Sequence, residues 1–477
     1  MFQLKLSAVR LLLVVILLRV VASQIYSIHN DTMLTKLSLV NLHAFYIYGQ
    51  DGIAERGDGP HSPPIVRFEK FSIRCSAWFY RDGACQYLGI QVSLVPYEDF
   101  WHIINPMHFC CSDDDAVDLG CTAQNLLLQN VSSQPGFHFK PIPTRPHHSE
   151  IYVYTVMGQE PIDHQFRISS TGVYLLMVSN CGYEHPVTLS GSVIVRNSYG
   201  FLPGIWYPKK AFSGWLAVAY AMLTCAWALL MATWRQELFK IHACFIAVSI
   251  AGTARAVSWW VFLHDFNNVG IPSKHLWYGV MLVEGMDEAL QNFLLLSASC
   301  GWGITKLAPI CVLSGVVESA KSALEMPGES ARSHVWAPLF TLSGVLNLSI
   351  VCVLCRTLSQ QTRVLANSQQ MAKRRLLIRL RRMLCLACFF GIAAEVFQGL
   401  YLTCYGQGGW QTDWIGRDVL PESFEALILV LMMCLWAPCS YRKHYEPERP
   451  EAEMLIQHEA QQTELADVDA GRPPLVL

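Results

Sequence analysis

Phe212–Thr233, FSGWLAVAYAMLTCAWALLMAT, is an apolar run long enough to cross the hydrocarbon core of a bilayer as a helix. Six more runs follow it: Ile241–Leu263, Leu276–Ser299, Leu307–Leu324, Val335–Cys355, Met383–Cys404 and Val419–Pro438. Each has roughly 18 to 24 residues, the span of a membrane helix. Only the fourth is interrupted by an opposed pair of charges near its end, Glu318 and Lys321. None of the seven shows the alternation of a barrel strand, and backbone in lipid must satisfy its own hydrogen bonds, so the reading is helical. Residues 206–440 are therefore expected to form a membrane-embedded, all-α bundle of seven transmembrane helices.

Basic residues orient the bundle. The connection between the fifth and sixth runs carries Arg356, Arg363, Lys373, Arg374, Arg375, Arg379, Arg381 and Arg382, whereas the other face offers Lys274, Arg332 and Arg417, one per loop. By the positive-inside rule that connection is cytosolic, the chain enters its first helix from the lumen, and the tail 441–477 is cytosolic. Lys209 and Lys210, just before the first helix, oppose this mildly. The N-terminus resolves the conflict: Lys5 and Arg10 precede the run Leu11–Leu18, and Val21-Ala22-Ser23 ends it with small residues, so 1–23 reads as a cleaved signal peptide. A retained anchor is disfavoured by the shortness of the run and by Arg19.

Composition divides at about Trp206. The 477-residue chain is 52% hydrophobic with a net charge of −2, a balance without the basic bias of a nucleic-acid partner. Residues 24–205 are polar and rich in turns. Short β-prone runs at Ile65–Ile73, Ile90–Val95, Ile151–Val156, Val173–Val178 and Val187–Val195 predict an all-β sandwich. The Gly- and Pro-rich stretch Gln50–Pro64 reads as a loop. This domain holds Cys75, Cys85, Cys110, Cys111, Cys121 and Cys181, an even number in an oxidising compartment, which predicts disulfides. A bridge between adjacent cysteines is strained, so Cys110 and Cys111 should reach different partners, Cys121 and Cys181 being the natural candidates and Cys75 with Cys85 the remaining pair. Cys404, at the luminal end of the sixth helix, is an alternative partner. A metal site is the competing reading, but these spacings contain no CxxC pair. Sequons at Asn30 and Asn130 predict glycosylation, whereas the sequon at Asn347 lies inside a span.

The motifs, taken in order, resemble a known family. Ile65-Val66-Arg67-Phe68-Glu69, Cys110-Cys111 with Cys121, Gly172-Val173-Tyr174 running to Cys181, and Asn197-Ser198-Tyr199-Gly200-Phe201-Leu202-Pro203-Gly204 precede the first helix. Within the bundle stand Gly301-Trp302-Gly303-Ile304-Thr305-Lys306 and Leu435-Trp436-Ala437-Pro438. Together they resemble the lung seven-transmembrane receptor family, also called GOLD-domain seven-helix proteins, and within it the transmembrane-protein-87-like branch, because of the double cysteine. Cys75 and Cys85 fall outside that pattern. The resemblance implies a GOLD-like β-sandwich above the bundle, residence in Golgi and endosomal membranes, and a role in trafficking or sorting membrane proteins. G-protein-linked reception and cation conduction are the alternatives it carries.

Enzymatic chemistry lacks its parts. An intramembrane zinc hydrolase needs several His and carboxylate ligands at one depth, yet of sixteen histidines only His242 falls within a predicted span. No GxSxG elbow, HExxH helix or phosphate-cradling loop occurs, and no cofactor is expected. The basic, leucine-interleaved stretch Lys373–Arg382 reads first as an extension of the sixth helix obeying the positive-inside rule, and the same surface suits anionic lipid headgroups, an adaptor or a G protein. In the tail, Glu451 stands four residues before Leu455-Ile456, the form of an acidic dileucine signal read by clathrin adaptors. The expected partners are thus membrane lipids, cargo membrane proteins and adaptors, or a G protein.

Charged residues inside the spans suggest a site. Arg255, Glu284, Glu395 and Glu425 fall at similar depth in the luminal half, with Glu318 and Lys321 near the same level. Glu284 and Glu288 share one face of the third helix, and Asp287 and Gln291 form a flanking stripe. A water-filled cavity lined by Arg255, Glu284, Asp287, Glu288, Glu318, Glu395 and Glu425 is expected, with Arg255 paired to Glu284 or Glu395 and the surplus of carboxylates favouring a cation, an amine or a polar lipid head. The bland alternative is charge pairing that serves only helix packing.

Overall fold

The computed structural model describes residues 25–34, 38–49, 63–75, 90–97, 100, 108–118, 126, 151–156, 163–181, 187–234, 240–300, 308–324, 333–367, 371–405 and 410–437. The expected signal peptide 1–23, Cys85, Cys121, Asn130 and the tail with Glu451, Leu455 and Ile456 lie outside them, as do the side chains of Asn30, Cys75, Glu395 and Cys404.

Among the described residues, the N-terminal part is a sandwich of two four-stranded antiparallel sheets. Its strands are β1 (Ile25–Leu34), β2 (Ser38–Ile47), β3 (Ile65–Cys75), β4 (Ile90–Pro96), β5 (Tyr152–Val156), β6 (Gln165–Arg167), β7 (Gly172–Asn180) and β8 (Val187–Arg196). One sheet runs β1-β8-β3-β6 and the other β2-β7-β4-β5. Inward residues of both sheets interdigitate as one core: Val66 and Phe68 of β3, Val187, Leu189, Val193 and Val195 of β8, Tyr174, Leu176 and Val178 of β7, and Val92 and Leu94 of β4. Strand β7 is buried on both faces, because Val173, Leu175 and Met177 pack into a second cluster on the outer side of its sheet. That explains its continuous apolar run, where a half-exposed strand would alternate. Asn30 falls where the β1–β8 register breaks, between Ile28 and Thr32, on an edge strand.

Seven helices follow: α1 (Tyr207–Thr233), α2 (Lys240–Val269), α3 (Lys274–Cys300), α4 (Ala308–Ala323), α5 (Ser333–Asn367), α6 (Met371–Tyr405), and α7, which consists of Trp410–Trp414, a π-helical turn Ile415–Val419 and Leu420–Leu435. Successive helices pack as neighbours, and α7 meets both α6 and α1, closing the bundle. On length and composition alone α1, α2 and the Pro338–Ala366 stretch of α5 suffice to cross a membrane. The outer surface of the bundle is apolar, with Trp215, Met222, Leu282, Leu348 and Phe389 exposed.

Two extents differ from the sequence expectation. The stretch between the fifth and sixth spans is largely helix, since α5 runs on to Asn367 and α6 begins at Met371. Charge ended the apolar windows at Cys355 and Met383, but a helix needs no apolar face once it leaves the membrane. The seventh helix begins at Trp410, because its polar first turns pair with partners supplied by the rest of the protein.

Helices α3 and α4 cross at backbone contact. A Cβ on Gly285 would collide with the backbone of Gly315, and one on Gly315 with that of Gly285 and the side chain of Ala289. Small residues allow this approach in lipid, where packing and interhelical hydrogen bonds drive association. Gly315→Leu is therefore expected to separate α3 from α4 and to abolish recovery of monodisperse protein in detergent, measured by size-exclusion chromatography. An unchanged elution profile contradicts the crossing.

Candidate functional site

A buried ionic cluster lies midway through the bundle. Arg255 of α2 is 7% exposed, where only a compensated charge is tolerated. Its Nε lies 3.0 Å from Asp287 Oδ2 of α3, and its Nη2 lies 3.0 Å from Glu422 Oε2 and 2.9 Å from Glu425 Oε2 of α7. The fork of donors on a guanidinium suits such divided pairing, which a lysine point charge could not reproduce. Counted from the helix ends nearest the β domain, Arg255, Asp287 and Glu425 are all about 20 Å deep at 1.5 Å per residue. Gln291 donates to Asp287 at 3.0 Å and lies 3.5 Å from Glu425, tying α3 to α7.

The direct ion pairs of Arg255 are with Asp287, Glu422 and Glu425; of the two expected partners, Glu284 lies only within its electrostatic reach and the side chain of Glu395 lies outside the described residues. Common depth fixes a layer but leaves rotation about each helix open, and on α3 it is the Asp287–Gln291 stripe that turns toward α2 and α7. Glu284 lies within electrostatic reach of Arg255, Glu422 and Lys209, whereas Glu288 faces another way. Glu288 accepts from Ser314 of α4 at 3.1 Å, and Ser314 also lies 3.1 Å from Asn347 of α5. Glu318 pairs with Lys321 and accepts from Ser343 of α5 at 2.7 Å, forming a separate polar contact between α4 and α5. Glu284 Oε2 is buried with no hydrogen-bond partner among the described residues.

Sequence reasoning passed over Glu422 and Asp418. Glu422 lay inside the seventh run, three residues before Glu425 and on the same face, whereas Asp418 lay one residue outside it. The π-turn over Ile415–Val419 sets their direction, and such turns recur at functional sites. Arg417 there contacts Asp418 at 2.8 Å and Asp413 at 3.5 Å. Lys209 of α1 reaches Asp418 at 2.9 Å and lies over the Trp259 ring at 3.6 Å. This lysine, which weighed against the orientation, is thus held by a carboxylate and an indole face.

Above the cluster, toward the β domain, Trp206, Trp259, Phe262, Phe266 and Trp277 pack together. Below it lies an apolar core containing Phe245, Leu294, Met432 and Trp436. Glu425, with 39% of its side chain exposed, is the most accessible of the four members of the ion cluster.

The Asn197–Gly204 motif couples the sandwich to the helices. Tyr48 N–H donates to Asn197 Oδ1, Asn197 Nδ2 donates to the Leu202 carbonyl, and Gly204 N–H donates to the Tyr46 carbonyl at 2.9 Å. From the end of α2, Asn267 accepts from Leu202 N–H at 3.1 Å and donates to the Tyr199 carbonyl at 2.8 Å. Gly200 has φ +135° and presses on Asn267, so a side chain there is excluded twice over. Trp410 of α7 packs edge-on against Tyr46 and 5.0 Å from Tyr48, ring centre to ring centre. Burial pushes the Tyr46 phenol up to about 12, keeping it neutral.

In the sandwich, Cys110 is bonded to Cys181, with Cα atoms 5.3 Å apart, and Cys111 is also disulfide-bonded. Among the described residues no group of three His, Cys, Asp or Glu side chains is arranged to hold a metal ion. A family model described as GOST, seven transmembrane domain, matches residues 208–443. Comparison with curated proteins gives no match.

Proposed function

Because residues 208–443 place the chain in the GOST family of seven-transmembrane proteins, we propose that this multi-pass membrane protein sorts other membrane proteins in Golgi and endosomal membranes, without enzymatic activity, under control of a cationic or amine-bearing polar ligand bound in the bundle. The β domain is luminal and the basic end of α5 and α6 cytosolic in this reading, as the distribution of Arg and Lys supports. One observation carries it: a single guanidinium faces Asp287, Glu422 and Glu425, and Glu284 adds a carboxylate oxygen without a partner among the described residues. Such an excess of buried carboxylates persists only with protons or added positive charge. The ligand enters beside α7, where Glu425 is accessible. Leu455 and Ile456 engage an adaptor, and resemblance to the transmembrane-protein-87-like branch points to the same compartments.

The test uses the full-length Glu284→Gln chain, which keeps the side-chain shape and removes the charge. Sorting predicts a changed distribution of cell-surface membrane proteins, measured by surface proteomics in cells lacking the wild-type protein, and no ion flux from purified protein in liposomes. An unchanged surface proteome overturns the reading. Flux that is lost on Glu284→Gln favours the cation channel instead.

A further inference from the structure

At the basic end of the bundle, α5 carries Cys352-Val353-Leu354-Cys355 followed by Arg356, and α6 carries Arg381-Arg382 followed by Cys385-Leu386-Ala387-Cys388. These two CxxC pairs, on helices that pack against each other, leave all four thiols free and exposed. Cys355 lies within electrostatic reach of Cys352 and Cys385, and Cys388 within reach of Cys355 and Cys385. Their surroundings are those of a lipid-facing surface: Val351, Leu386, Phe389 and Phe390 are exposed beside them. At 1.5 Å per residue the four lie within about 9 Å of the arginines that mark the membrane boundary. Cys225, exposed on α1, lies about 12 Å from the Thr233 end of its helix.

A soft metal ion is one occupant for four thiols, but a tetrathiolate site requires all four sulfurs to converge on one point. Here they lie exposed on an apolar surface, and no such convergence exists among the described residues. We propose that Cys352, Cys355, Cys385 and Cys388 form an S-acylation site, modified by long-chain fatty acyl groups at the cytosolic boundary. Acylation acts on thiols beside the membrane surface, and an attached chain here enters lipid already lined by exposed Phe and Leu side chains. In the step, a cysteine thiolate attacks the carbonyl carbon of an acyl thioester delivered from acyl-coenzyme A. The new bond joins Sγ to the acyl carbon, the bond to the carrier sulfur breaks, and the carrier leaves as a thiol with the proton that the cysteine gave up. No oxidant is needed.

This inference goes beyond the sorting reading but rests on its orientation. Full-length protein in cells fed an alkynyl fatty acid is expected to take up label that hydroxylamine removes. The label should be lost when all four cysteines are replaced by Ala, which lipid-facing positions tolerate, and kept in Cys225→Ala. Label that persists at wild-type level in the fourfold variant overturns the proposal, as does its absence from the wild-type chain, or thiols of the purified protein that become reactive only after a zinc chelator is added. Protease mapping of the basic end in sealed vesicles separates the two readings. A luminal basic end defeats the orientation, whereas a cytosolic basic end without label defeats only the acylation.

Discussion

Arg255→Met should destabilise the bundle by about 3 to 5 kcal/mol, the usual cost of removing one partner from a buried ion cluster. The side chain it replaces touches Asp287, which is fully buried, and Glu422 and Glu425 on another helix. Without the guanidinium, carboxylates of α3 and α7 face each other with no cation between them, bridged only by Gln291. For a bundle of this size the cost corresponds to a fall in melting temperature of about 10 °C, measurable by thermal unfolding in detergent. Arg255→Lys should recover part of the loss, because an ammonium supplies charge but cannot reach three carboxylates together. Adding Asp287→Asn to Arg255→Met should also recover part, because it removes the most deeply buried of the orphaned charges. A melting temperature unchanged by Arg255→Met would show that the cluster holds nothing together.

The second large effect concerns the sandwich. Breaking the Cys110–Cys181 bond frees a loop spanning 71 positions, worth about 4 kcal/mol in the chain-entropy model. Strand β7 runs directly into Cys181, and its residues build both the inner core and the cluster that meets Trp410. Loss of the bond should therefore loosen the β domain and its seat on the helices together. Cys181→Ala is expected to make the β domain sensitive to limited proteolysis under conditions in which the wild-type domain resists, and to reduce the yield of mature protein at 37 °C. Equal protease resistance of the two chains would place the domain's stability in its sheets alone.

The sequence by itself determined the number and order of the spans, the β character of the N-terminal part, and the layer in which the buried charges lie. Each of these follows from one-dimensional quantities: run length against bilayer thickness, β-branched residues between turns, and residues counted from a helix end. It passed over β1, β2 and β6. Asn30-Asp31 interrupts β1 where its register breaks, and β6 is only three residues long, held by its neighbour β3. The Asn197–Gly204 stretch was legible as a motif, yet its role depends on Asn267, sixty-five positions from Leu202, whose polar side chain at the end of α2 resembles any loop-flanking asparagine.

Only the tertiary structure decided which carboxylates Arg255 meets. Every acid in the layer was available by depth, but a side chain about 6 Å long reaches only those that helix rotation and crossing bring round to it. That rotation is set elsewhere: by the close glycine contact between α3 and α4, beside which Glu288 bonds Ser314, and by the π-turn that precedes Glu422 and Glu425 in α7. The two CxxC pairs show the same division of information. Each spacing is visible in the chain, but their union into one exposed patch exists only because α5 and α6 lie side by side, bringing together thiols separated by a long stretch of chain.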